Sequence, residues 1–149
     1  MDLSEEIHQK EFTSLHQKAL INILYTYNYI VGEMNVFFKA NDLTRQQYNV
    51  LRILRGQYPH PSNISLVKER MLDKMSDASR IIQRLHQKQL VERKIAFDDR
   101  RSVEITITQQ GLELLSNTDE QVKGFTHLVE NLTPEEAEQL NFLLDKIRG

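Results

Sequence analysis

Apolar residues recur at near-helical spacing from Ile7 to Lys39. Leu15, Ala19, Ile23, Tyr27, Ile30 and Met34 trace one stripe there, with Leu20, Leu24, Val31 and Phe38 beside it. The pattern predicts one long N-terminal helix whose apolar face is too broad for a small core to cover, and so predicts packing against a second copy of the chain. Asn41-Asp42-Leu43-Thr44 breaks the period. Thr44 with Gln47 three residues on reads as a capping box opening a helix to about Gln57, with Tyr48, Leu51, Ile53 and Leu54 on its buried face. Pro59-His60-Pro61 stops that helix, because neither proline donates a backbone hydrogen bond and each restricts the residue before it. Ser62 or Asn63 can cap a short helix reaching Met71, with Ile64, Val67 and Met71 inward. Ser76 can cap the next, from Asp77 to about Gln89.

After Leu90 the period shortens to two. Residues 91–96 and 102–108 read as strands, joined by the polar connection Phe97-Asp98-Asp99-Arg100-Arg101 at a hairpin tip. Thr108 caps a helix running from Gln109 into the 120s in spite of Gly111. Thr133-Pro134-Glu135-Glu136 then combines a cap, a proline at the first helical position and acids in the first turn. The final helix carries Leu140, Leu143, Leu144 and Ile147 on one stripe. The fold class this order predicts is mainly α with a small β-hairpin wing (α+β), a winged helix-turn-helix flanked by N- and C-terminal helices. About 43–108 would form the winged lobe, and about 7–39 and 109–149 the flanking helical regions, within one domain of 149 residues.

In the helix opening at Asp77, the residues Ala78, Ile81, Ile82 and Leu85 gather on one side. Ser76, Ser79, Arg80, Gln83 and Gln87 take the other, with Arg84 at its edge. Such side chains can hydrogen-bond base edges, Arg to guanine and Gln to adenine, although any solvated helix carries a face like this. The paired arginines of the hairpin tip suit a narrow, electronegative minor groove, and a neighbouring carboxylate could orient one of them. The other reading is a solvated turn with a local ion pair.

Charge bears on both readings without deciding either, since a charge cluster is usually a solvated face. The net charge is −2, which by itself speaks against a polyanionic partner. Yet from Ile64 to Arg101 ten Lys and Arg face six acids, so this segment carries +4 and the remainder −6. A basic middle between acidic ends fits a protein whose centre alone meets an anion. Hydrophobic residues at 40%, charged at 27% and only five Gly and three Pro exclude disordered and collagenous classes. The absence of cysteine excludes disulfides, thiol catalysis and thiolate metal sites. No apolar run is long enough to span a bilayer, and the polar, acidic start does not read as a signal peptide, so no membrane partner and a cytoplasmic location are expected.

The stretch SDASRIIQRLHQKQLVERKIAFDDRRSVEITITQQG, residues 76–111, resembles the core of MarR-type regulators. It has a Ser-led recognition helix with an Arg-Leu pair near its end, a Leu-Val-Glu-Arg strand start, an Asp-Arg-Arg wing and a Thr-x-x-Gly exit. Leu43-Thr44, Gln47 and Val50-Leu51 are similar to that family's second-helix opening. The resemblance implies a homodimeric regulator, in most cases a repressor, that binds double-stranded DNA at a pseudo-palindromic operator. Ser76, Ser79, Arg80 and Gln83 would face the major groove, with Asp77 and Arg84 completing the helix's set. Arg101 would enter the minor groove with Asp99 as its partner, and Arg100 would meet phosphate or the wing itself. Leu15, Ala19 and Ile23 with Leu140, Leu143, Leu144 and Ile147 would carry dimerisation. Two departures stand out. Met71-Leu72-Asp73-Lys74-Met75 is more hydrophobic than the family's usual turn, which leaves the start of the recognition helix open, and Gln89 replaces a common C-cap glycine, so a less sharply turned end is expected.

Tyr25, Tyr29 and Phe37 either line a pocket for a small aromatic or phenolic effector or serve core and dimer packing. The five histidines show no tight ligand pair, and no nucleophile motif or phosphate cradle is visible, so neither a metal, a cofactor nor an enzymatic activity is expected. The competing functional class is a winged helix that binds protein rather than DNA.

Overall fold

The computed structural model describes residues 2–95 and 103–149. The chain divides into two compact units, the first ending at Tyr48 and the second beginning at Asn49.

In the first unit the single helix expected over Ile7–Lys39 is interrupted. A four-residue helix α1 (Leu3–Glu6) precedes α2 (Leu15–Ala40), and His8 between them has a left-handed φ of 54°. The cause is local hydrogen bonding: the Ser14 hydroxyl accepts from the Gln17 N–H at 3.1 Å, and the Gln17 side chain accepts from the Thr13 N–H at 2.7 Å. Together they end the helical path backward, as short polar side chains do when they compete for backbone donors. Helix α1 is then tied to α2 by the Tyr25 hydroxyl, which donates to Glu6 at 2.8 Å and whose own pKa this contact raises, and by Lys18 to Asp2 at 3.3 Å. At its far end α2 closes without glycine. Asp42 turns left-handed (φ 51°), its N–H reaches Lys39 O, and the Leu43 N–H reaches Phe38 O at 2.9 Å, with Phe38 and Leu43 both buried. The Thr44–Gln47 box forms as read, each side chain accepting the other's N–H at 3.1 Å, and α3 (Arg45–Gln57) starts there.

The second unit continues α3 and adds α4 (Ile64–Arg70), α5 (Ala78–Gln87), β1 (Val91–Ile95), β2 (Val103–Ile107), α6 (Gln109–Lys123), a 3₁₀ segment (Gly124–Val129) and α7 (Pro134–Arg148). Asn63 caps α4, its side chain accepting the Leu66 N–H at 2.8 Å, and Thr133 with Glu136 makes a reciprocal box at α7. Leu51, Leu54, Val67, Met71, Ile82, Leu85, Ile105 and Leu115 are fully buried and form the core. At about 1.5–3 kcal/mol per buried aliphatic side chain, these residues hold the helices to the hairpin. The strands are antiparallel, paired from Val91 with Ile107 to Ile95 with Val103. Ser62 adds a one-residue rung on the other side of β2, exchanging backbone hydrogen bonds with Ile105 at 2.8 Å each way. Thus the fold is mainly helical with a two-stranded wing.

Candidate nucleic-acid interface

Helix α5 is placed by what it buries. Ala78, Ile82 and Leu85 sit in the core, which turns Ser79, Arg80, Gln83 and Arg84 to solvent, as the 100° spacing requires. None of these four side chains makes a hydrogen bond or ion pair among the described residues, whereas Arg45 donates to the Tyr27 hydroxyl at 3.0 Å and Arg55 is fully engaged elsewhere. The start of the helix lies one residue later than the sequence reading placed it. Asp77, not Ser76, is the cap: its side chain accepts the Arg80 N–H at 3.1 Å. Ser76 is half-buried and its hydroxyl donates instead to Asp73 at 2.7 Å, so Asp73 shapes the turn that delivers the chain to α5. A carboxylate at the cap also faces the positive end of the helix dipole.

The other end of α5 is sharper than the missing glycine suggested. Gln89 itself adopts the left-handed conformation (φ 61°), its N–H reaches His86 O at 2.9 Å and the Leu90 N–H reaches Leu85 O at 3.0 Å. Leu85 and Leu90 are both buried, which completes a Schellman closure. The His86 ring nitrogen Nδ1 lies 3.0 Å from Val91 O, so the helix end is also pinned to β1.

The Thr-x-x-Gly segment then explains itself. Thr108 donates its hydroxyl to Gln89 O at 2.8 Å and its N–H to Leu90 O at 3.1 Å, and it accepts the Gly111 N–H at 3.1 Å. A β-carbon on Gly111 would stand 2.5 Å from Leu90 O and 2.7 Å from Ile107 Cγ1, so only glycine fits. End of α5, exit of β2 and start of α6 are therefore one clasp.

Asp99, Arg100 and Arg101 lie outside the described residues. At the base of the wing, Val91 is buried and the rest of β1 is exposed, with Lys94 paired to Glu92 at 3.2 Å. Of the dimerisation set, Leu15, Ala19, Ile23, Leu140, Leu143 and Ile147 are exposed and Leu144 is half-buried. Of the aromatic set, Tyr25 and Tyr29 are exposed, while Phe37 is half-buried edge-on to Phe38 at 5.1 Å. Among the described residues no three His, Asp or Glu side chains gather where a metal ion could sit, and no helix is long and apolar enough to cross a membrane.

Sequence reading missed two elements of the scaffold. Arg55 on α3 and Asp119 on α6 form a bidentate pair at 2.7 and 3.1 Å, and the guanidinium holds the Asp119 carboxyl below its usual range. Nothing in the sequence marks two residues so far apart as partners. The Asp73 turn was not foreseen either, although an Asp three residues before a Ser is a local signal for it.

The sequence profile of the MarR family matches residues 43–103. A crystal structure of a MarR transcription factor from Planctomyces limnophilus is 30% identical over 91% of this chain and 98% of that one, with a TM-score of 0.69. Two further structures share the fold. A mutant MarR from Escherichia coli complexed with operator DNA has 24% identity, covers 99% of each chain and gives a TM-score of 0.74. BpsR of Bordetella bronchiseptica, whose DNA binding is regulated by 6-hydroxynicotinic acid, has 23% identity, covers 89% of this chain and 99% of its own, and also gives 0.74. A comparison with curated protein sequences returns no match. With a helix-turn-helix core, a two-stranded wing, a family profile that runs from the first of these to the start of β2, and a relative at 30% identity along nearly its whole length, the chain belongs to the MarR family of transcriptional regulators.

Proposed function

We propose that the protein is a sequence-specific duplex DNA-binding repressor that works as a two-fold homodimer on a pseudo-palindromic operator and is released by a small aromatic effector. The observation that carries this reading is the outer face of α5: two arginines, a serine and a glutamine, all exposed and all unengaged among the described residues. Such a face has no internal hydrogen bond or ion pair to give up and can meet base edges directly. The recognition helices of the two protomers enter successive major grooves, and the wings, through Arg101 with Asp99 and through Arg100, grip the flanking minor grooves and phosphates. About 43–108 is the DNA-binding lobe, flanked by the dimerisation helices. The exposed apolar stripes support the dimer, since a lone chain leaves Leu15 85% and Ile147 67% in water. The effector reading draws support from Tyr25 and Tyr29, one helical turn apart on α2. It also draws on the small-molecule regulation of BpsR and on a second neighbour, an organohalide-sensing regulator solved with 2,4-dichlorophenol.

The test is a titration of the full chain against duplex DNA from its own upstream region at two salt concentrations, with Arg80→Ala and Arg101→Ala alongside. Wild-type binding that weakens steeply with salt, and a loss of roughly 1–3 kcal/mol in each variant with the fold unchanged, is the expected result. Equal and negligible binding by all three proteins to every genomic duplex offered would instead favour a protein-interaction module.

A further inference from the structure

The turn between α4 and α5 holds two large apolar side chains out in water. Leu72 is 87% exposed and Met75 is 95% exposed, although Met71 just before them is buried. This turn is held by specific bonds. Asp73 accepts the Met75 N–H at 3.1 Å and the Ser76 hydroxyl at 2.7 Å, and Asn49 accepts the Leu72 N–H at 3.0 Å. Met75 is thus presented on a braced backbone two residues before Asp77, the cap of α5. It stands at the end of the helix that, in helix-turn-helix docking, lies against base edges.

Its surroundings narrow what can cover it. Lys68, Arg70, Lys74 and Arg80 are all exposed, against Glu69, Asp73 and Asp77, of which Asp73 and Asp77 are taken up in the turn and the cap, so Met75 stands as a small apolar point on a turn of slight positive charge. An apolar protein groove would demand a wider greasy surface than two side chains provide. The major groove of duplex DNA offers the matching arrangement: a small apolar group, the C5-methyl of thymine, flanked on both sides by phosphates. A thioether side chain, unbranched and polarisable, adapts well to such a group. We propose that Met75 reads a thymine by packing on its methyl group, adding an apolar contact to the polar readout by Ser79, Arg80 and Gln83. This inference rests on the reading of α5 as the helix that enters the major groove.

The experiment uses duplexes selected by the wild-type full chain from a random-sequence library, resynthesised with deoxyuridine in place of thymine at one position per half-site in turn. The exchange removes only the methyl group. The expected result is one thymine position at which deoxyuridine weakens wild-type binding by about three- to fivefold per half-site. Met75→Ala should bind the thymine duplex correspondingly more weakly and show no further loss with deoxyuridine. If wild type and Met75→Ala respond alike at every position, or the selected half-site contains no thymine, while Arg80→Ala still weakens binding, the Met75 proposal is overturned and the reading of α5 stands. If no sequence is enriched at all, the reading of α5 falls and the proposal falls with it.

Discussion

Two left-handed residues, Asp42 and Gln89, close the helices on either side of the helix-turn-helix, and they do so at unequal cost. A left-handed backbone crowds Cβ against the following carbonyl for any L-residue, but Asp tolerates the region better than a longer side chain does. Gln89→Gly should therefore stabilise the fold by about 0.5–1 kcal/mol, and Asp42→Gly by less, as a shift in the urea midpoint at constant slope would register. Gly111 has the opposite constraint. Because Leu90 O is already committed to the Thr108 N–H and cannot retreat, Gly111→Ala should cost about 2 kcal/mol or more, a value a denaturation curve resolves easily. At this scale the sequence was legible where a side chain acts on its own neighbourhood: the Thr44–Gln47 box, the Asn63 cap and the Thr133–Glu136 box all stand where the residues place them. The cap of α5 was misplaced by one residue because Ser76 and Asp77 are both good cap formers. The choice between them depends on Asp73, which claims the serine hydroxyl.

Elements were legible through their periods, and the exceptions have physical causes. The hairpin, α3, α4, α6 and α7 follow from spacing together with their caps and breakers. The break between α1 and α2 did not, because an apolar period says which face a helix would bury and not whether local caps interrupt it. Pairings between elements carry still less local trace. The Ser62–Ile105 rung and the Arg55–Asp119 pair join residues far apart in sequence, and no pattern near either partner announces the other. The second of these ties α3 to α6 and has a pH signature. Asp119 titrates below its unfolded value because Arg55 stabilises the charged form. Its contribution is thus fully present above the ordinary carboxylate range and is lost as pH falls through the depressed folded value. Asp119→Asn should cost about 1 kcal/mol at neutral pH, a modest figure because both side chains are partly in water, and should flatten the acid limb of the stability profile. Urea unfolding of both proteins across the acid range would measure it.

For the whole molecule the open quantity is the second protomer. Ile23→Glu and Leu143→Glu place a charge on each exposed stripe and should convert a dimer into monomers, or into misfolded chain, at micromolar concentration by sedimentation. Either variant should also weaken operator binding more than it weakens binding to a single half-site. The candidate site was readable in the sequence to the extent that it is one amphipathic helix. The wing's arginines lie outside the described residues, and Met75 gives no sequence signal beyond an apolar residue in a turn. The clasp around Leu90 has a mechanical meaning as well as a steric one. Three hydrogen bonds and a forbidden β-carbon join the end of α5 to the start of α6. A joint of that kind passes on rotation and does not absorb it. Any tilt of α6 should then carry to the outer face of α5, and loosening the joint by Thr108→Val should uncouple the two helices before it unfolds either.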